Sequence, residues 1–168
     1  MADRPINVLF LCTHNSARSV MAEALLNTIG KERFHAFSAG SMPSGRVNPF
    51  ALDMVRSIGY ITENIRSKSW DEFAAPGAPA MDIVITVCDN AAGETCPIWP
   101  QRDGKAPVTA HWGFPDPSDT KGGDSEKRQA FDKVFHAIRR HIELLAKMPV
   151  DKLERSALTN ELKRIHTQ

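Results

Sequence analysis

The sequence predicts an α/β protein: a single-domain, open parallel sheet of about four strands, flanked by helices on both faces, with an extra C-terminal helix. Three observations carry this. Short apolar runs of strand length alternate with longer stretches whose apolar residues recur at helical spacing. Those runs are apolar at successive positions, as strands buried on both faces of a parallel sheet require. The chain has 168 residues, a length that one hydrophobic core serves.

Ile6 to Leu11 is the first such run, and it gives way to Cys12-Thr-His-Asn-Ser-Ala-Arg18-Ser19, a stretch of small and polar residues. A helix follows from Ser19 to about Ile29, with Val20, Ala24, Leu25 and Ile29 on one face and Gly30 placed to stop it. Phe34 to Ser38 reads as a second strand, closed by Ala39-Gly40. Asn48 caps the next helix, Pro49 suits its first turn, and Gly59 ends it after Ile58. Ser69-Trp70-Asp71-Glu72 fits a capping box for a short helix that Pro76 terminates. Asp82 to Cys88 is the clearest buried strand, and Val108 to His111 a short last one. Ser125 to Lys147 is a long amphipathic helix, its apolar side formed by Phe131, Val134, Phe135, Ile138, Ile142 and Leu145. Residues 1–147 make up the domain. Residues 148–168, carrying Leu153, Leu158, Leu162 and Ile165, are a helical extension rather than a second domain; their single apolar face has to pack on the same domain or on a partner, and docking on the domain is expected.

Composition narrows the function. With 21 Lys+Arg against 20 Asp+Glu, the net charge of +1 offers no electrostatic argument for nucleic acid. The run Val8 to Cys12 is too short for a signal-peptide core or a membrane span, so a soluble cytoplasmic protein is expected; a monomer is the expected state, although nothing in the sequence fixes it. Three cysteines, Cys12, Cys88 and Cys96, are an odd number in a reducing compartment. They are reactive or merely buried thiols, not a disulfide framework.

Parallel α/β sheets bind ligands at the carboxyl ends of their strands, and both Cys12 and Cys88 sit at such ends. A loop between a strand and a helix N-terminus aims backbone N–H groups at one point. Thr13, His14, Asn15, Ser16, Ala17, Arg18 and Ser19 are therefore candidate oxyanion binders, with Arg18 able to add two parallel donors. The same field is expected to hold Cys12 as a thiolate nucleophile, with Ser19 a donor to its sulfur and Asn15 a brace for the loop. The alternative is a buried strand-end thiol beside a surface cation. A zinc site from the three cysteines with His14 or His111 lacks close-paired ligand spacing, so no metal is expected. His111 reads as a strand-end residue, Trp112 as either a wall of the site or a core residue. Asp116, between Pro115 and Pro117, is a turn residue or a carboxylic acid held over the site.

Cys12-Thr-His-Asn-Ser-Ala-Arg18-Ser19 resembles the phosphate loop of the low-molecular-weight protein tyrosine phosphatase superfamily, with Leu11 where the unrelated larger tyrosine phosphatases usually carry His. More narrowly, the chain is similar to the arsenate reductases built on that fold. The similarity runs through Met21-Ala-Glu, Ser38-Ala-Gly40, Val47-Asn-Pro49, Arg66-Ser-Lys-Ser-Trp-Asp-Glu-Phe73, Val87-Cys-Asp89, Cys96-Pro97 and His111-Trp-Gly113 to Asp116-Pro117, roughly residues 5–145. The resemblance implies that Cys12 attacks arsenate and Asp116 is the general acid. Cys88 then attacks the Cys12 sulfur and expels arsenite, and Cys96 takes over the disulfide for an external thiol reductant, thioredoxin or glutaredoxin/glutathione. No bound cofactor is implied. Cys88 and Cys96 are one residue further apart than in the thioredoxin-coupled members. If residues 88–96 were helical, their ends would lie about 12 Å apart, whereas a disulfide tolerates about 7 Å. That segment is thus expected to bend or unwind on oxidation. Some members hold potassium with residues matching Asn15, Glu23 and Ser38 plus an acidic residue; Lys68 stands at the acidic position, so no bound potassium is expected. Two other readings remain. One is a phosphatase acting through a Cys12 phosphocysteine, although Ser118 stands where such phosphatases favour an aromatic. The other is a non-enzymatic oxyanion-binding or redox-sensing module.

Overall fold

β1 (Ile6–Leu11) is buried at all 6 of its positions and forms the spine of the sheet. The computed structural model describes residues 4–88, 99–101 and 104–167. Around β1 it places β2 (Phe34–Ala39), β3 (Ile83–Thr86) and β4 (Val108–His111) in the order β2-β1-β3-β4, every pair parallel. The helices are α1 (Arg18–Ile29), α2 (Pro49–Ser57), α3 (Asp71–Ala74), α4 (Asp124–Lys147) and α5 (Arg155–Thr167). Because strand side chains alternate in direction, β1 feeds two layers. Val8, Phe10 and Cys12 join the larger core with residues of α1, α2, α4 and α5. Leu9 and Leu11 join Phe73 of α3, Met81, Val84 and Trp99 on the opposite face. After β1 the chain adds β2 on one side and later β3 on the other. The strand order therefore reverses between the ends of β1 and β3, where a crevice opens in such sheets. Cys12 and Cys88 lie just past those two ends.

The helix boundaries follow their local chemistry. Asn48 Oδ1 accepts from the Phe50 N–H at 2.8 Å, with Pro49 opening α2. At α4 the Glu126 carboxylate returns to the Gly123 N–H at 3.0 Å. The short helix α3 departs from expectation: Ser69 Oγ accepts from the Asp71 N–H at 3.1 Å, but Glu72 pairs with Arg66 instead of closing the box. β3 is shorter than the apolar run at both ends. At one end Asp82 accepts from the Asn7 N–H, at 2.8 Å, through its side chain; beyond the other, Val87 N–H still reaches the Leu11 carbonyl at 2.9 Å.

The C-terminal extension packs along β4, the edge strand, and Leu158, Leu162 and Ile165 enter the main core. Trp112, wholly buried, donates its indole N–H to the Leu162 carbonyl at 2.9 Å, so it is a core anchor and not a wall of the site. The helix is also tied by imidazoles: His141 Nδ1 donates to the Ala137 carbonyl at 3.0 Å, which leaves Nε2 to accept from His166 Nδ1 at 3.0 Å. Among the described residues no helix is long and apolar enough to cross a membrane.

Two outcomes follow from this docking. Leu162→Ala empties a fully buried position and is expected to cost about 2–5 kcal/mol, read as a lower urea midpoint with an unchanged slope. Burial, then the neighbouring His166 and Arg140, push the His141 imidazole below its ordinary value of 6.5, against the Ala137 carbonyl. The unfolded chain therefore binds more protons than the folded one below about pH 6.5. Stability should fall as pH drops through that value, and His141→Gln should flatten the dependence in urea titrations between pH 7 and 5.

Candidate active site

The loop leaving β1 is held open by its carbonyls. Thr13 O accepts from Met42 N–H at 2.9 Å, His14 O from Ser44 N–H at 3.1 Å and Ser67 Oγ at 2.9 Å, and Ser16 O from Asn48 N–H at 2.9 Å. The described chain has no cis peptide. In a trans peptide the N–H points opposite the carbonyl, so the N–H groups of His14, Asn15 and Ala17 face the interior of the loop. α1 begins there with no capping side chain at Ala17 and no acidic residue in its first turn, which leaves its positive end for the loop.

Two residues impose this shape. Asn15 is buried at a φ of 48°, a left-handed conformation that Asn tolerates better than most. Its Nδ2 donates to Ser19 Oγ at 2.8 Å, and its Oδ1 accepts from the Lys68 N–H at 2.9 Å. Ser19 thus keeps its own O–H available as a donor. Gly40 is the residue that reasoning from the sequence did not single out. A Cβ there would sit 2.4 Å from the Thr13 carbonyl oxygen and 2.6 Å from that of Cys12. The available signal was a glycine closing a strand, which marks a close backbone approach.

Cys12 and Cys88 are both buried and not joined in a disulfide, and Thr13 Oγ1 shares a hydrogen bond with Cys88 Sγ at 3.7 Å. The hydrogen bond to Cys88 and then burial push the Cys12 thiol up, against the pull of Arg18 and the Thr13 N–H. This corrects the expected thiolate. The guanidinium is shared with other acceptors: Arg18 Nη1 donates to the Phe114 carbonyl at 2.8 Å, and Nη2 lies 3.4 Å from Asp116 Oδ2. Asp116 combines both of its expected readings. Its Oδ1 accepts from Ser118 N–H at 2.9 Å and Ser118 Oγ at 2.6 Å, closing a turn, while Oδ2 faces Arg18.

Behind the loop lies a second charged group. Ser38 Oγ donates to Glu23 Oε1 at 2.5 Å, and the Lys68 ammonium stands 3.9 Å from the same oxygen while donating to the Arg66 carbonyl at 2.9 Å. Burial pushes Glu23 up and Lys68 down, and each charge opposes the shift of the other. The backbone of Lys68 holds Asn15, so its ammonium occupies the place beside Glu23, Ser38 and the loop. Among the described residues no group of three or more His, Cys, Asp or Glu could hold a metal ion. His14 is exposed on the rim, its Nδ1 3.1 Å from the Met42 carbonyl. His111 is bound to Thr86 Oγ1 at 2.7 Å, at the end of β4. Cys96 and the segment expected to bend lie outside the described residues.

Residues 7–158 match the low molecular weight phosphotyrosine protein phosphatase family. The arsenate reductase of Halalkalibacterium halodurans is 34% identical over 139 residues, covering 83% of this chain and 94% of that protein. The arsenate reductase of Bacillus subtilis is 34% identical over 127 residues, covering 76% and 85%. Among solved structures, the arsenate reductase from Archaeoglobus fulgidus superposes with a TM-score of 0.59 at 28% identity, covering 84% of this chain and 99% of that one. An arsenate reductase in an oxidized state gives 0.64 at 26% identity, covering 83% and 95%.

Gly40→Ala tests the loop geometry. Its Cβ has to displace backbone oxygens, not a flexible side chain, so the N–H groups lose their common focus. Arsenate or phosphate binding, measured by titration calorimetry, is expected to weaken by about tenfold or more, near 1.4 kcal/mol.

Proposed function

The chain belongs to the low molecular weight phosphotyrosine protein phosphatase family, and from that premise we propose that it is an arsenate reductase, converting arsenate to arsenite through a relay of thiols. The observation that carries this is a second buried thiol, Cys88, at the oxyanion loop beside Cys12, with its Sγ 3.7 Å from Thr13 Oγ1. A phosphatase needs one cysteine, since water cleaves its phospho-thiol intermediate. A two-electron reduction needs a second thiol within reach of the first.

The inward N–H groups of the loop and Arg18 bind arsenate, which turns Arg18 from Asp116 to the substrate. Cys12 Sγ attacks arsenic, and one hydroxyl leaves as water with the thiol proton, delivered through Asp116. Cys88 Sγ then attacks Cys12 Sγ. The S–As bond breaks with its electron pair remaining on arsenic, so arsenic(V) becomes arsenic(III) and the two thiols become a Cys12–Cys88 disulfide. Cys88 gives up its proton to the departing arsenite. Cys96 next attacks Cys88 Sγ, frees Cys12, and leaves a Cys88–Cys96 disulfide for thioredoxin or glutaredoxin/glutathione. The placement of Cys88 suits this order, because it lies at the same loop as the sulfur it must attack. Lys68, beside Glu23 and Ser38, supplies positive charge behind Asn15 that a monovalent cation would otherwise bring. The alternative is a phosphatase working through a Cys12 phosphocysteine on the same loop, since arsenate and phosphate are isosteric.

The test is arsenate-dependent NADPH oxidation, coupled in turn to a thioredoxin and a glutaredoxin system, for wild type and for Cys12→Ser, Cys88→Ser and Cys96→Ser. Cys12→Ser and Cys88→Ser should lose turnover by about a hundredfold or more, comparable to deleting a nucleophile. Cys96→Ser should complete one turnover, lose two titratable thiols and stop. Full activity in all three variants overturns the relay. If Cys12→Ser alone is inactive, a small thiol resolves the intermediate directly. Phosphomonoester hydrolysis that survives Cys88→Ser, without any arsenate turnover in wild type, establishes the phosphatase.

A further inference from the structure

The two oxygens of Asp116 are not equivalent. Oδ1 takes both donors of Ser118, the backbone N–H at 2.9 Å and the hydroxyl at 2.6 Å, whereas Oδ2 lies 3.4 Å from Arg18. The flanking prolines set the backbone on both sides of Asp116 but leave its side-chain torsions free. The Asp116 carboxylate is about a quarter exposed, so packing alone does not fix its rotamer; its side chain is 28% accessible. Any residue other than proline at 118 would supply the N–H of the turn. Only a hydroxyl at that distance adds a second donor to the same oxygen.

We propose that Ser118 is a positioning residue for Asp116: it dedicates Oδ1 to the turn and so makes Oδ2 the oxygen that carries the proton to the oxyanion. With its lone pairs engaged by two donors, Oδ1 is a poor site for a proton, and a proton on Asp116 therefore faces the loop. The inference rests on the proposed function for the step it serves. That step is formation of the S–As bond, in which a hydroxyl leaves as water. The disulfide exchanges that follow involve sulfur and arsenic leaving groups and do not use Asp116, so Ser118 has no part in them.

The experiment is a double-variant cycle with Ser118→Ala, Ser118→Thr, Asp116→Asn and Asp116→Asn/Ser118→Ala. Arsenate-dependent loss of two thiols is followed in single turnover with the reductant omitted. Ser118→Ala is expected to slow this phase about tenfold, with Ser118→Thr restoring most of the rate. Phosphate affinity by calorimetry, and the rate at which thioredoxin or glutaredoxin/glutathione reduces the preoxidised protein, should both stay at wild-type values. In the Asp116→Asn background, Ser118→Ala should add no further loss. The proposal falls if Ser118→Ala matches wild type, if Thr fails to restore the rate, or if the serine substitution slows Asp116→Asn as much as it slows wild type. If wild type does not reduce arsenate, the proposed function fails separately. The same cycle on hydrolysis of phenyl phosphate, whose leaving phenolate needs a proton, then decides the role of Ser118.

Discussion

Between Cys12 and Arg18 the backbone has to turn its carbonyl oxygens away from the point its amides converge on, and hydrogen bonds from outside the loop hold it there. Met42, Ser44, Asn48 and Ser67 take those carbonyls, Asn15 bridges Ser19 and Lys68, and Gly40 lets β2 approach the loop backbone closely. Each bond contributes only about 1 kcal/mol net. Their number and direction matter more than their strength, since a carbonyl left to relax inwards would replace a donor with an acceptor. The stretch from Gly40 to Ser69 is thus a frame for the loop. Asn48 serves twice, capping α2 with its side chain and holding Ser16 with its N–H.

The same arrangement puts two demands on Cys12 that pull in opposite directions. The inward N–H groups, the end of α1 and Arg18 favour a thiolate. Burial among core side chains and the interaction of the Cys12 S–H with Cys88 favour a thiol, and they prevail. For a hydrolase this would be a poor compromise, since the nucleophile gains nothing from a second thiol. For a reductase the contact is the point, because the second sulfur must approach along the line of the bond it will break. Arg18 follows the same logic. It rests on Asp116 and the Phe114 carbonyl, so the loop carrying Asp116 and the loop after β1 are joined through its guanidinium.

What the sequence made legible was local or periodic. The span of β1 and of β4 agrees with the apolar runs, α1 and α4 each begin one residue earlier than expected, and Asn48, Pro49 and Gly30 act where their chemistry places them. What it hid depended on partners far along the chain. Glu72 abandons its capping box for Arg66, Trp112 is taken by the Leu162 carbonyl, and the thiol at Cys12 is set by Cys88. Asp116 is instructive because its local reading, a turn residue, was accurate and incomplete. The pull of Ser118 on one oxygen is local, and the approach of Arg18 to the other spans 98 positions, here the separation of Arg18 and Asp116.

The C-terminal helix shows how an addition at the edge of a sheet reaches its working end. The family match stops at residue 158, within α5, yet the rest of that helix seals β4, an edge strand whose face would otherwise be bare. Its docking also encloses Phe114. That ring lies edge-on to His141, with centroids 4.8 Å apart, and to His166 at 6.0 Å, while its carbonyl holds Arg18. The two imidazoles share one proton between facing nitrogens, so full protonation of both would set two N–H groups against each other at 3.0 Å. Phe114 is therefore packed by His141 within the family match and by His166 beyond it. The Arg18 guanidinium, held by the Phe114 carbonyl, is supported partly from there.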